Sequence, residues 1–165
     1  MLRRTLVVAI AAAAFAATAS ARNENGVVVS ASGGYGFSTS SLDVGPFTWN
    51  AQVYADGSVD GGYKYTQVST SNGAALTVSG PLTCVVIIGK HVWVGGIIEE
   101  SSRDSLIGLN MWFQAQDNGE GANAQPDMST TIGAGGPGTA QQYCDDHPPA
   151  LFPHLIERGN LQVRS

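Results

Sequence analysis

The side chains best placed to do chemistry are oxygen donors on one short loop. Asp117-Asn118-Gly119-Glu120-Gly121, with Asp127 close behind, is the densest run of hard ligands in the chain. Calcium takes about six to eight oxygens, and carboxylates spaced along a glycine-bearing loop can supply several of them. The spacing departs from the EF-hand loop. Asn-Gly and Glu-Gly are also ordinary turn chemistry, in which glycine takes positive φ and the acids face water. Asp117, Asn118, Glu120 and Asp127 are therefore either a turn or a calcium site, and calcium is the one cofactor that any cluster here suggests. Cys144-Asp145-Asp146-His147, with His154 beyond, puts Cys and His at ligand spacing. A thiolate already in a disulfide cannot coordinate, so a solvated loop tied down by a bridge is the better reading.

Nucleophilic catalysis needs a Ser or Cys beside a His and an acid. No Gly-x-Ser-x-Gly elbow is present, and His91, His147 and His154 sit in no recognisable catalytic context. Glu99-Glu100 and Asp145-Asp146 are adjacent in sequence, and extended neighbours point to opposite sides, which suits a solvated edge better than acid–base work. Neither a phosphate-binding glycine loop nor a dinucleotide fingerprint is expected. The aromatics offer more. Trp49, Tyr63, Tyr65, Trp93 and Trp112, with Tyr54 nearby, lie in strand-like sequence and could line a barrel mouth against a sugar or an apolar ligand. Filling or capping the core is the commoner use of such residues. Trp49 belongs inside with Phe47, while Trp112 falls on the face opposite Met111 and Phe113.

The elements that must position these residues are strands. Phe47, Trp49, Ala51, Val53 and Ala55 alternate with Thr48, Asn50 and Gln52, the period of a strand with one buried face. Asp56-Gly57-Ser58 then turns a hairpin into a strand over Val59 to Val68, with Tyr63 and Tyr65 on one face. Asn72-Gly73 marks a further turn before Ala75 to Val78, and Gly89-Lys90 joins Leu82 to Ile88 with His91 to Ile98. Ile107 to Gln116 alternates again. Val27 to Val29 starts a strand broken at Gly33-Gly34 and Gly36, and Asp127 to Ile132 reads as one more. Gly133 to Gly138 reads as a break, Thr139 to Asp145 as one or two helical turns carrying Cys144, and Leu161 to Val163 as a closing strand. About seven to nine short strands joined by tight turns predict an all-β single domain, an antiparallel meander β-barrel, with a two-sheet β-sandwich as the alternative.

Before this domain, Met1-Leu2-Arg3-Arg4 and the apolar run Leu6 to Ala17 have the form of a signal peptide, and Ala19-Ser20-Ala21 supplies small residues for cleavage. The run is short of the ~20 residues that span a bilayer. Residues 1–21 are expected to be removed after Ala21, or after Ala19, leaving 22–165 as the mature domain; an uncleaved anchor or a buried helix is the alternative. Loss of Arg3 and Arg4 takes the net charge from −5 to −7. So acidic a chain has no electrostatic footprint for nucleic acid or anionic lipid. Charged residues make up only 13% and glycines number 21, a composition that favours strands and turns. Cys84 and Cys144, both in the exported part, are expected to pair, worth about 4 kcal/mol in the chain-entropy model. Two free buried thiols are the alternative.

Phe47-Thr48-Trp49-Asn50-Ala51, Asp56-Gly57-Ser58-Val59, Leu82-Thr83-Cys84-Val85-Val86, Gln116-Asp117-Asn118-Gly119-Glu120-Gly121 with Pro126-Asp127, and Gly159-Asn160-Leu161-Gln162-Val163-Arg164 occur in this order. In these motifs the chain resembles a family of small secreted bacterial β-rich proteins of no agreed activity. The resemblance implies export and a β-rich fold, and transfers no catalytic residue. The expected function is a secreted or periplasmic, non-catalytic β-barrel module that binds a small apolar or carbohydrate ligand or an envelope partner, without spanning a membrane. An enzyme (a cyclase- or isomerase-like barrel, or a hydrolase) and a structural envelope protein are the alternatives.

Overall fold

The structure, a computed structural model, describes residues 26–121, 123–151 and 153–164. The leader read at residues 1–21 lies outside them. In chain order the elements are β1 (Val27–Ser38), β2 (Leu42–Tyr54), β3 (Val59–Ser69), β4 (Ala75–Ile88), β5 (His91–Ile97), β6 (Glu100–Ser101), β7 (Asn110–Gln116), β8 (Met128–Ser129), β9 (Gly133–Gly135), α1 (Thr139–Asp146), β10 (His154–Leu155) and β11 (Arg158–Arg164). They make one antiparallel sheet in the order β10-β8-β7-β5-β4-β3-β2-β1-β11, with β6 on β4 and β9 on β7. The sheet is strongly curled into a half-barrel. The mostly antiparallel β fold is as the alternation predicts.

Period-2 patterning decides which side chains enter the concave face. Phe47, Trp49 and Ala51 of β2, Tyr63 and Tyr65 of β3, Val92 and Val94 of β5, and Met111, Phe113 and Ala115 of β7 are all buried there. Phe47 is the hub: its ring meets Tyr35 at 5.2 Å, Tyr65 at 5.0 Å and Phe113 at 4.7 Å, each edge-on, the geometry aromatic quadrupoles favour. The polar tips inside are paired. Trp49 Nε1 donates to Tyr35 Oη at 3.2 Å, and that hydroxyl lies 2.8 Å from Ser129 Oγ.

Several boundaries differ from the sequence expectation, each for a local reason. β1 runs unbroken through its glycines. At Gly33 a Cβ would sit 2.5 Å from Tyr35 Cε1 and 2.7 Å from Trp49 Nε1, so the residue makes room for rings instead of ending a strand. The stretches 75–78 and 82–88 fuse into β4, with Pro81 at the point where its partner changes from β3 to β5. The strand expected from Ile107 starts only at Asn110, because a 3-10 turn at Asp104–Leu106 and a Gly108 N–H bond to the Ile98 carbonyl (2.8 Å) precede it. Only Met128–Ser129 of the 127–132 segment is strand, whereas Gly133–Gly135, read as a break, pairs with β7.

Candidate functional site

The outward side chains of β5 and β7 stand opposite one another in register: His91 with Gln116, Trp93 with Gln114, and Gly95 with Trp112. This convex face is covered. Helix α1 crosses it, joined to β4 by the disulfide between Cys84 and Cys144, whose Cα atoms are 6.3 Å apart. Gly95 permits that approach, since a Cβ there would lie 2.6 Å from Cys84 Sγ and 2.9 Å from Ala140 Cβ. Helix α1 ends at His147, held in the left-handed region at φ 45, and Pro148 and Pro149 prevent its continuation. The chain then returns across the sheet as a strap, described at residues 148–151 and 153. Trp93, 6% exposed, fastens the strap by donating its indole N–H to the Pro148 carbonyl at 2.9 Å. His91 and His147 flank the indole edge-on at 5.8 and 5.4 Å.

Between β5, β7, β8 and the strap lies a cavity of about 280 Å³, lined largely by apolar surface from Trp93, Met128, Pro149 and Pro153. Gln114 also lines it. That side chain is only 5% exposed, and its Oε1 is the single buried side-chain oxygen without a partner among the described residues. His91 lines it too, with its ring edge-on to Trp93, and three other polar lining residues are engaged. Gln116 Nε2 donates to Asn118 Oδ1 at 2.8 Å, Thr130 Oγ1 accepts from the Gln114 N–H at 3.0 Å, and Ser129 Oγ is bonded to Tyr35. Beyond the strap, Trp112 lies 6.0 Å from Tyr143, whose hydroxyl burial pushes up to about 12.

The five candidate aromatics are thus divided between two faces. Trp49, Tyr63 and Tyr65 lie in the core, and burial pushes the hydroxyls of both tyrosines upward. Trp93 and Trp112 lie on the outer face, and of these only Trp93 borders the cavity. Gln114 was not singled out by its sequence. Its even position among outward-facing residues suggested solvent, and the signal that could have found it is the Cys144-bearing helix that must pack on that face.

The acidic loop sits elsewhere, at the outer edge of β11. Asp117 Oδ2 accepts from the Val163 N–H at 2.9 Å and from Lys90 Nζ at 3.2 Å, and its Oδ1 accepts from the Gly119 N–H at 2.7 Å. Asp127 accepts from the Asn118 N–H at 2.8 Å and from the Leu161 N–H at 3.3 Å. Asn118 Nδ2 donates to the Pro126 carbonyl at 2.6 Å, and Glu120 accepts from Asn160 Nδ2 at 3.1 Å. Two carboxylates therefore serve backbone donors that β1, on the other side of β11, does not reach. Burial pushes the Asp117 carboxyl up, but the N–H groups of Val163 and Gly119 and the ammonium of Lys90 outweigh this and hold it below the usual range. Among the described residues no three His, Cys, Asp or Glu side chains gather in a metal-holding group.

Two further motifs find their places. His154 stacks on Phe37 at 5.1 Å, away from the disulfide-bonded Cys144. Contrary to the sequence expectation, Gly133, Gly135 and Gly138 do have the spacing of a dinucleotide fingerprint, but β9 pairs antiparallel with β7, so the βαβ context of such a loop is missing. No family model matches the chain, and no curated protein or solved structure matches it either.

Proposed function

We propose that the chain is an exported, non-catalytic β-barrel module that holds a small apolar molecule in the cleft between β5, β7 and the strap. The observation that carries this is the cavity itself: apolar walls, one buried polar group without a partner, and a roof fastened by a disulfide and an indole hydrogen bond. Concave apolar sites with few polar groups are the usual form of small-molecule sites, and about 280 Å³ is at the small end of their range. Export is supported by the leader-like residues 1–21 and by the pairing of Cys84 with Cys144, which suits an extracellular or periplasmic compartment. Closure of the barrel is supported by Asp117 and Asp127 at the free edge of β11, where their oxygens take the place of a neighbouring strand's carbonyls. The resemblance to small secreted bacterial proteins points the same way.

A non-catalytic role is supported by the histidines: all three rings lie against Trp93 or Phe37, and the two ion pairs among the described residues, Lys90–Asp117 and Arg158–Asp43, contain none of them. Docking of an envelope partner has one observation in its favour, the exposure of Leu151 (75%) and Leu155 (54%) around the strap.

The test is an NMR titration of the disulfide-intact domain with p-cresol, following the indole N–H resonances. The Trp93 signal is expected to move while that of Trp49, in the core, stays fixed. A fixed Trp93 signal at saturating p-cresol refutes the ligand cleft and favours the partner surface. Mass spectrometry of protein taken from its own secretion medium tests the rest. A start at Met1 refutes the leader, and two reduced thiols refute the bridge.

A further inference from the structure

We infer that the cleft selects neutral ring molecules carrying one N–H or O–H donor, of the indole or phenol class, with Gln114 Oε1 as the acceptor. This rests on the ligand-site reading above and goes beyond it by fixing the chemistry of the occupant.

Size comes first. An apolar cavity of ~150 Å³ takes benzene, so about 280 Å³ admits roughly ten heavy atoms, one substituted ring or two fused ones. The walls suit a ring: Trp93 and two prolines give flat surfaces, and the Met128 thioether packs well against aromatic edges. Charge is excluded next. No Asp, Glu, Lys or Arg lines the cavity, so a charged occupant would leave water with no carboxylate, ammonium or guanidinium to meet it.

The number of polar groups is set by what remains unpaired. Gln116 Nε2, Ser129 and Thr130 already have partners, which leaves the His91 ring and the Gln114 amide, and of these Gln114 Oε1 is the atom that is both buried and unpartnered. A sugar would bring many hydroxyls to a largely apolar site with few groups to receive them. A molecule with a single donor matches it, and the terminal amide torsion of glutamine is soft enough to turn the oxygen toward an arriving donor.

Indole and indene are near-isosteres that differ in the N–H, and calorimetric titration of the disulfide-intact domain with each is the test. Indole is expected to bind at least ~10-fold more tightly, the scale of an unmet buried polar group, against the stronger hydrophobic drive of indene. In Gln114→Met, which keeps the apolar contact, the gap should collapse. Equal binding of indole and indene to the wild type overturns the donor rule and leaves the cleft as an unselective apolar site. Binding of neither removes the ligand site and this inference with it. The wild-type pair decides the question even where the variant does not fold.

Discussion

The two faces of β5 and β7 are built from alternate residues of the same strands, yet they are packed to different standards. On the concave side Phe113 is fully buried against Phe47 and Trp49, and the Trp49 and Tyr35 tips are hydrogen-bonded. On the convex side, one residue away, Gln114 keeps an unpaired oxygen beside a cavity. A close-packed interior tolerates no such defect without loss of stability. The difference teaches that the concave face carries the fold, while the convex face, where the proposed cleft lies, is packed less completely.

The largest effect should come from breaking the dense side. Phe113→Ala removes a ring from the centre of the core and is expected to cost ~3–5 kcal/mol, read from urea denaturation. Replacing both cysteines by alanine removes the link between α1 and β4 and should cost about 4 kcal/mol at most, by the same measurement. Asp117→Ala leaves the Val163 and Gly119 N–H groups unmet at the edge of the sheet, for a loss of about 2 kcal/mol.

That edge should also show in the pH dependence. The folded chain holds the Asp117 proton more weakly than the unfolded chain. The stabilisation is therefore complete above the ordinary carboxylate value of 3.8 and is lost as pH falls through the lower folded value. The urea midpoint should drop on acidification below about pH 4, and Asp117→Asn should flatten part of that drop. A wild-type midpoint that stays level down to pH 2 would count against the clasp. The smallest effect sharpens the comparison most. Gln114→Met should raise stability by about 1 kcal/mol, opposite in sign to its neighbour Phe113→Ala, because it removes a buried polar atom that has no partner.

Much of the dense side was legible in the sequence, because its signals are local. Phe47-x-Trp49-x-Ala51 and Tyr63-x-Tyr65 declare their buried face by alternation, and Asp56-Gly57 declares the hairpin between β2 and β3, where the Gly57 N–H bonds the Tyr54 carbonyl at 2.9 Å. The cysteine pairing followed from count and compartment. What escaped depends on contacts distant in the chain. Gly33 reads as a strand breaker until the rings of Tyr35 and Trp49 are seen to need its space. Asp117 and Asp127 read as a turn or a cation loop until Val163 and Leu161 arrive beside them. Gln114 reads as solvent-facing until α1 and its prolines fold over it.

The Cys84–Cys144 bond holds α1 a single turn upstream of Pro148, so the position of the strap depends on an oxidised pair of sulfurs. A freshly made chain in a reducing interior would have its sheet but an untethered lid. On the proposed reading of an exported ligand carrier, loading would be timed to follow oxidation of this pair, and a mild reductant should empty the cleft well before it melts the strands.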